Sequence, residues 1–264
     1  MLMKSTSNCL AEFNIVRIKG AKREEVNDFL AREVPLTINL NGQELVTLLS
    51  TPEDIKDLVR GFLFTSGLVK PGEELKDFII DKTRWEVWVN TKESPLDSSL
   101  IFKRLYTSGC GKGTIFYNMV DILYRHRLES NLKISVQSIL SLMREFQRSS
   151  TLFKQTGAVH SAALSDGQNI LFFREDIARH NAIDKIIGRA LAEGIDMRDT
   201  IILTSGRISS EILLKVQKGM IPVVVSRGAP TDQAVKLAAD LNITLVGFAR
   251  GNRLNVYSAA ERVS

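Results

Sequence analysis

The chain has 264 residues, of which 44% are hydrophobic and 25% charged, and its formal net charge is +5. This is the composition of a soluble globular protein with one large or two ordinary domains, and the charge is too small and dispersed to predict nucleic-acid binding. No apolar run approaches the roughly 20 residues that cross a bilayer and Met1–Cys9 has no signal-peptide pattern, so we expect a cytoplasmic protein that does not bind a membrane.

Residues 11–49 predict β-structure, because apolar and polar residues alternate there and β-branched residues are frequent. Asn41 and Gly42 lie between two apolar runs, which predicts a tight hairpin turn. Thr51 and Pro52 then predict the start of a helix, with Thr51 as N-cap and Pro52 in the first helical position.

Residues 78–80 and 85–89 predict two further strands, which complete a small α+β unit. Residues 90–99 are polar and predict a linker. We therefore expect two domains: residues 1–105 form a small α+β N-terminal domain, and residues 106–264 form an α/β domain.

A glycine-rich loop at residues 106–114 contains one of the two cysteines of the chain. Gly109 and Gly111 flank Cys110, which favours an exposed thiol, and the ammonium group of Lys112 favours the thiolate form. The alternative is that Cys110 is a small buried apolar side chain. A cytosolic setting argues against a disulfide with Cys9.

The middle of the chain predicts helices at residues 115–128 and 134–146, where apolar residues recur with helical spacing. Residues 153–156 predict a connection. Residues 157–164, which include His160, and residues 170–173 predict two strands.

Residues 173–185 contain many charged side chains between a predicted buried strand and a predicted amphipathic helix. Glu175, Asp176, His180 and Asp184 are suited to acid–base chemistry. The alternative is an ion-pair cluster in which acidic residues complement the dipole at the start of a helix.

Three buried strands then follow at residues 200–203, 222–225 and 244–246, with helices after the first two, which predicts a parallel sheet. Their carboxyl ends meet at one edge, where ligands bind in such sheets. The connections there carry arginines, small residues and hydroxyl groups, which favour a phosphate-bearing ligand such as a nucleotide. Ordinary loop chemistry is the alternative. The residues concerned are Ser205, Gly206, Arg207, Arg227, Pro230, Thr231, Arg250 and Arg253.

Several enzyme classes lack support in the sequence. No G-x-S-x-G motif indicates a hydrolase of the Ser-His-Asp type. A zinc deaminase needs a glutamate two residues after its histidine and a cysteine pair downstream, whereas Ala162 follows His160 in that position. With three histidines and two cysteines, a structural zinc site is not expected. Cys110 is the one nucleophile with a loop suited to it.

The sequence resembles the FdhD/NarQ family, the formate dehydrogenase accessory sulfurtransferases, over most of its length. The matching segments are Glu33–Leu36, Asn41–Gly42, Gly61–Leu63, Thr156–His160, Arg174–Lys185, Ser205–Arg207, Ala229–Thr231 and Leu245–Arg250. The resemblance implies a cytidine-deaminase-like α/β domain, with a parallel-rich sheet and flanking helices, beside a smaller N-terminal domain. It also implies a homodimer.

The resemblance further implies sulfur transfer from a cysteine desulfurase to the molybdenum or tungsten bis-molybdopterin guanine dinucleotide cofactor that formate dehydrogenase needs. Cys110 corresponds to the persulfide cysteine, and Lys112 is placed to stabilise its thiolate. The cofactor-binding segment corresponds to Phe248, Ala249, Arg250, Gly251, Asn252 and Arg253. A guanine nucleotide is expected to mimic part of this cofactor.

With this resemblance, we interpret the start of the charged helix as one wall of the cofactor site, with Asp184 and Lys185 as its support. The wall residues are Asp176, Arg179, His180 and Asn181. One difference from the family is the absence of a second loop cysteine, because Gly113 follows Lys112 where many members have Cys-Gly. The alternative function is therefore a chaperone that binds and delivers the cofactor without covalent sulfur chemistry.

Overall fold

Two main sheets with flanking helices form the structure, and the predicted α/β class is confirmed. The computed structural model describes residues 8–70, 72, 75–91, 103–106, 114–117 and 127–264. Most of the predicted linker and the loop residues Cys110 and Lys112 lie outside these ranges. Within them, no helix is both long enough and apolar enough to cross a membrane.

The N-terminal part contains a separate hairpin, a four-stranded sheet in the order β4-β3-β6-β5, and one helix, α1 (Ile55–Thr65). Asn41 and Gly42 have positive φ angles of 50° and 79°, as the predicted tight turn requires. Leu58 and Leu63 of α1 pack in the core of this part. The strands are β1 (Leu10–Lys19), β2 (Lys22–Ala31), β3 (Val34–Leu40), β4 (Gln43–Ser50), β5 (Lys76–Asp81) and β6 (Glu86–Asn90).

The predicted N-cap at Thr51 is wrong, because α1 begins at Ile55 and Asp54 occupies the N-cap position. The Thr51 hydroxyl contacts the C-terminal part of the chain instead. Its Oγ1 lies 2.7 Å from Lys185 Nζ and 3.1 Å from Asp176 Oδ2. Thr51 therefore makes long-range polar contacts and not the local N-cap hydrogen bond that the sequence pattern predicted.

The C-terminal part is a six-stranded sheet in the order β10-β9-β11-β12-β13-β14. β11, β12 and β13 are parallel, as predicted, and the other pairings are antiparallel. The strands are β9 (His160–Ser165), β10 (Ile170–Asp176), β11 (Ile201–Thr204), β12 (Val223–Ser226), β13 (Thr244–Arg250) and β14 (Arg253–Ser258). The helices are α2 (Val136–Ser149), α3 (Thr151–Thr156), α4 (Arg179–Ala192), α5 (Ser210–Lys218) and α6 (Asp232–Leu241).

Both faces of this sheet are buried, which explains the continuous apolar runs of its central strands. Ile202 faces the core that α4, α5 and α6 cover, whereas Ile201 and Leu203 face the core that α2 covers. Successive side chains of a strand point to opposite faces, so each central strand supplies both cores.

The two parts meet where α1 crosses α4 at very short range. A Cβ atom on Gly61 would overlap the carbonyl oxygen of Asp184, and one on Gly188 would overlap that of Asp57. Glycine at both positions therefore allows the two helix backbones to touch. The predicted division at residues 105 and 106 stays a prediction and falls within β7 (Lys103–Tyr106).

Two predicted elements in the middle of the chain differ from the structure. Residues 115–117 belong to strand β8 (Thr114–Tyr117), which pairs with β7, and not to a helix. Their β-branched and aromatic side chains favour a strand. Residues 153–156 lie in the short helix α3 and not in a connection. The Glu175 carboxylate accepts the N–H groups of Leu152 and Phe153 at 3.0 and 3.1 Å, and this capping holds the helix.

Candidate functional site

The parallel strands end at one edge of the six-stranded sheet, where their connections meet as predicted. The Arg227 N–H donates to the Thr204 carbonyl at 3.1 Å and joins the ends of β11 and β12. The Phe248 N–H donates to the Gly228 carbonyl at 3.0 Å and joins the β12 connection to β13. We call this region the strand-end edge; it comprises residues 205–208, 227–231 and 247–253.

Close backbone approach explains two of the glycines at the strand-end edge. A Cβ atom on Gly228 would lie 3.1 Å from the Gly206 carbonyl oxygen. One on Gly247 would lie 3.0 Å from both the Pro230 ring and the Tyr257 ring. Larger side chains at these positions would force the connections apart.

Four exposed arginines surround the strand-end edge: Arg207, Arg227, Arg250 and Arg253. Among the residues that the structure describes, no carboxylate forms an ion pair with their guanidinium groups. An arginine without an internal partner can bind the oxygen atoms of a phosphate in a bidentate way. The edge therefore has the chemistry of an anion-binding surface.

The prediction of a third loop after residue 246 is wrong. Residues 247–250 continue strand β13, and residues 251–252 form the turn that leads to β14. Phe248 interrupts the strand with a positive φ of 52°, and the register of β13 and β14 shifts there. Its ring is half-buried, and Arg250 Cζ lies 5.9 Å from the ring centroid. An aromatic face beside a guanidinium group can stack against a nucleobase.

The remaining predicted edge residues have mainly structural contacts. The Thr231 hydroxyl caps α6 by accepting the Ala234 N–H at 3.3 Å, and Ala249 is fully buried in the core. Gly251 and Asn252 form the exposed turn between β13 and β14.

The first turn of α4 and the start of β9 bring three further polar side chains to the same edge. Arg179 packs against Gly206, since a Cβ on Gly206 would lie 3.0 Å from Arg179 Cβ. His180 Nε2 lies 2.9 Å from Glu211 Oε2 in the first turn of α5. His160 Nδ1 lies 3.4 Å from Ser205 Oγ.

Burial lowers the pKa of His160 from its ordinary value of 6.5, and the positive charge of Arg179 and the proximity of His180 lower it further. Sequence reasoning considered His160 only as a zinc ligand and left it out of the candidate site. The position of His160 at this edge depends on the strand order of the sheet, which the sequence pattern did not predict. β9 is antiparallel to β11, so β9 begins at the edge where β11 ends.

Two predicted wall residues, Asp176 and Asn181, are buried beneath this surface. Asp176 has no exposed area and Asn181 is 6% exposed. The Asp176 carboxylate pairs with Lys185 at 2.8 Å and accepts the Thr51 N–H at 3.1 Å. The Asn181 amide donates to Asp176 at 3.0 Å and to the Leu49 carbonyl at 2.8 Å. These contacts bury both residues and give them a structural role, and their position on a cofactor wall stays a prediction.

The predicted supporting residues, Asp184 and Lys185, also have buried polar partners. Asp184 pairs with Lys215 at 2.8 Å and accepts the Thr65 hydroxyl at 2.8 Å. Lys185 pairs with Asp176 and contacts Thr51, as described above. The hydroxyl groups of Thr65 and Thr51 connect these two pairs, and with them α4, to the N-terminal part.

Comparisons with known proteins agree on one family. Residues 31–264 match the model of the FdhD/NarQ family. A Bacillus subtilis protein named sulfur carrier protein FdhD is 43% identical over 95% of this chain and 96% of its own length. A Listeria innocua protein of the same name is 45% identical over 94% of this chain and 96% of its own length.

A solved structure agrees in fold. It is the crystal structure of a "putative formate dehydrogenase accessory protein" from Desulfotalea psychrophila, with a TM-score of 0.78 and 26% identity. The match covers 97% of this chain and 100% of that chain. The chain therefore belongs to the FdhD/NarQ family.

Proposed function

We propose that this protein is a sulfur carrier that delivers sulfur to the bis-molybdopterin guanine dinucleotide cofactor of formate dehydrogenase, with molybdenum or tungsten as the metal. The cofactor is the substrate, and a cysteine desulfurase is the sulfur donor. The name of the curated relatives and the name of the structural neighbour support this reading. The observation in the structure that carries the proposal is the group of exposed arginines at the strand-end edge, which form no ion pair with the carboxylates that the structure describes.

The chemistry of that edge fits the substrate. The cofactor has phosphate groups and guanine bases, which are anionic and aromatic respectively. Arg207, Arg227 and Arg253 are exposed cations for the phosphates. Phe248 and Arg250 offer a ring face and a guanidinium plane for a base. A guanine nucleotide is therefore a suitable partial mimic in binding experiments.

Cys110 is the proposed sulfur-carrying residue, with Lys112 as a stabiliser of its thiolate. The Cys110 thiolate attacks the outer sulfur of the persulfide on the desulfurase. The Cys110–sulfur bond forms, the sulfur–sulfur bond of the donor breaks, and the donor cysteine leaves as a thiolate. In the second step the outer sulfur passes to the reduced metal of the substrate. The metal supplies two electrons, the sulfur becomes a sulfide ligand, and the Cys110 thiolate is regenerated.

We also propose a cytoplasmic homodimer. The β1–β2 hairpin supports a dimer, since isolated two-stranded hairpins are marginally stable in water. Phe13, Ile18 and Phe29 on this hairpin are 53%, 65% and 39% exposed, and a partner surface would bury them. Analytical ultracentrifugation tests this part: a single species of twice the chain mass is expected, and a monomer would contradict it.

The sulfur-carrying role is tested with cysteine desulfurase and ³⁵S-labelled cysteine, followed by proteolysis and mapping of the label. The two cysteines of the chain provide a matched control. Cys110→Ala should abolish labelling and formate dehydrogenase activation, whereas Cys9→Ala, which alters a residue only 2% exposed, should retain both. Label that persists in Cys110→Ala would refute the assignment. Full activation by unlabelled Cys110→Ala would instead support the chaperone, which the missing second loop cysteine favours.

A further inference from the structure

A cavity of about 520 Å³ lies between the two parts of the chain, where α1 packs against α4. The N-terminal part supplies the turn before α1, the first half of α1 and the end of β5, and the C-terminal part supplies β10 and the last turn of α4. We call it the junction cavity; its charged wall residues include Asp54, Lys56, Arg60, Lys82, Arg174 and Arg189. Cavities of this volume between two domains commonly bind small molecules.

The junction cavity and the strand-end edge lie at opposite ends of α4. Arg179, the first residue of the helix, packs against Gly206 of the edge, whereas Ala192, the last residue, lines the cavity. The helix has 14 residues, which separates its two ends by about 20 Å. The cavity is therefore distinct from the surface to which the proposed function assigns the cofactor.

Lysine and arginine side chains outnumber carboxylates in the described part of the wall, five to three. Lys56, Arg60 and Lys82 form no ion pair with a carboxylate that the structure describes. Lys56 and Arg60 are four positions apart on α1, and like charges at this spacing destabilise a helix. The Arg60 guanidinium lies over the Phe78 ring, with 5.5 Å between Cζ and the ring centroid. An anion in the cavity would offset the repulsion among these cations.

Two of the wall carboxylates are already committed to Arg174. Its Nη2 lies 2.9 Å from Asp57 Oδ2, and its Nε lies 3.3 Å from Asp54 Oδ1. Asp54 precedes α1, and an aspartate in that position ordinarily accepts N–H groups of the helix. The Asp54 side chain caps none of them, and its φ angle of 55° lies in the left-handed region. Both carboxylates therefore neutralise Arg174 and leave the three unpaired cations for a ligand.

The wall is also partly apolar and partly shielded from water. Ile55 and Ile80 line it together with the charged side chains. Burial raises the pKa of Asp54 above its ordinary value of 3.8, although Arg174 opposes the shift. Where water is partly excluded in this way, the attraction between a cation and an anion is stronger. Apolar side chains beside cations favour an organic anion over an inorganic one.

We propose that the junction cavity binds a small organic anion, with an apolar body and at least two negative charges, through Lys56, Arg60 and Lys82. Phosphomonoesters and dicarboxylates share this chemistry. Such a ligand would contact both parts of the chain, because Arg189 and Ala192 of α4 line the same cavity. Its binding should therefore stabilise the junction of the two parts. Sulfur loading of Cys110 has no part in this binding.

The test is an NMR titration of the wild-type protein, labelled at the δ1 methyl groups of isoleucine, with phenyl phosphate and with phthalate. Ile55 and Ile80 report on the cavity, whereas Ile208 reports on the strand-end edge and Ile18 on the exposed hairpin. Ile55→Val and Ile80→Val assign the cavity signals. At least one compound should shift both signals with a dissociation constant below about 1 mM. Inorganic phosphate lacks the apolar body and should bind at least about tenfold more weakly.

The two compounds also distinguish the two sources of the anion. A response to phenyl phosphate alone would indicate a phosphomonoester as the natural ligand, and a response to phthalate alone would indicate a dicarboxylate. Either response supports the site, because both compounds present two negative charges on an apolar ring.

Three variants separate specific binding from general charge attraction. Arg60→Gln should weaken binding about tenfold or more. Asp54→Asn should strengthen binding about threefold, because it removes a negative charge and asparagine tolerates the left-handed backbone at this position. A gain in affinity cannot result from misfolding. Lys236→Gln is the control, since it removes a cation of α6 outside the cavity wall and should leave the dissociation constant unchanged.

The proposal is overturned if neither compound shifts Ile55 and Ile80 of the wild-type protein at millimolar concentration, or if only Ile208 or Ile18 responds. It is also overturned if Lys236→Gln weakens binding as much as Arg60→Gln does. The readings on the wild type do not depend on the folding of a variant. Persulfide labelling of Cys110 tests the proposed function separately, so failure of either one leaves the other intact.

Discussion

Replacing Lys185 with methionine is expected to lower the free energy of unfolding by about 3–5 kcal/mol, as is typical when one partner of a buried ion pair is removed. Lys185 and Asp176 have no exposed side-chain area and lie 2.8 Å apart. Lys185 Nζ also contacts Thr51 Oγ1 at 2.7 Å and the Glu175 carbonyl at 3.2 Å. The substitution leaves the Asp176 carboxylate buried with hydrogen bonds but without a counter-charge. The melting temperature should fall by about 6–20 °C.

Urea unfolding provides the assay. It is followed by tryptophan fluorescence and by far-UV circular dichroism, because these two probes report on different parts of the chain. Both tryptophans, Trp85 and Trp88, lie at β6 in the N-terminal part, whereas far-UV circular dichroism reports mainly on helices of the C-terminal part. Lys185→Met should separate the two transitions, since Lys185 joins the parts. Adding Asp176→Asn should recover part of the loss, because it removes the unpaired charge.

An exposed lysine provides the control for this prediction. Lys236→Met changes a side chain that is 69% exposed and should alter stability by less than about 0.5 kcal/mol. If Lys185→Met lowers the free energy of unfolding by less than about 1 kcal/mol while the control is unchanged, the buried pair does not hold the two parts together.

Three further substitutions test other features of the structure. Gly188→Ala should cost about 1–3 kcal/mol in urea unfolding, because its Cβ overlaps the Asp57 carbonyl; unchanged stability would contradict the close helix crossing. His160→Gln should flatten the fall in thermal stability below pH 6.5. Burial and Arg179 lower the pKa of His160 in the folded state below its ordinary value of 6.5. The stability that His160 contributes is therefore present above pH 6.5 and lost as pH falls through the folded-state pKa. An unchanged dependence of thermal stability on pH in His160→Gln would count against this. Phe248→Ala should weaken guanosine diphosphate binding about 5- to 150-fold by loss of stacking, measured by calorimetry, while pyrophosphate binding stays the same; equal losses for both ligands would exclude stacking.

The parts of the fold with strong local patterns could be predicted from the sequence. The turn at Asn41 and Gly42 formed as predicted, because few other residues adopt its positive φ angles. The strands and connections after residue 200 also formed in the predicted order, apart from the last connection. Parallel order then determined that Arg207 and Arg227 would lie at one edge, so much of the candidate site followed from the topology.

Long-range contacts account for what the sequence did not predict. Thr51 has the pattern of an N-cap, yet its partners Asp176 and Lys185 are more than a hundred positions away. Asp176 was predicted on the cofactor wall because it is charged and near a helix start, and only the structure shows that those same contacts bury it. His160 was left out of the site because its proximity to Arg179 depends on the antiparallel pairing of β9. Neither burial nor pairing has a local signature in the sequence.

In the proposed function, this protein carries sulfur on Cys110 and passes it to a substrate held at the strand-end edge. The most direct measurement loads the protein with ³⁵S, removes the desulfurase, and follows the label to formate dehydrogenase that contains the cofactor without its sulfur ligand. Wild-type protein should transfer the label and activate the enzyme. A variant with both Arg227→Ala and Arg250→Ala should load sulfur normally and transfer it poorly. Transfer at the wild-type rate by this variant, or label that stays on the wild-type protein, would contradict the account.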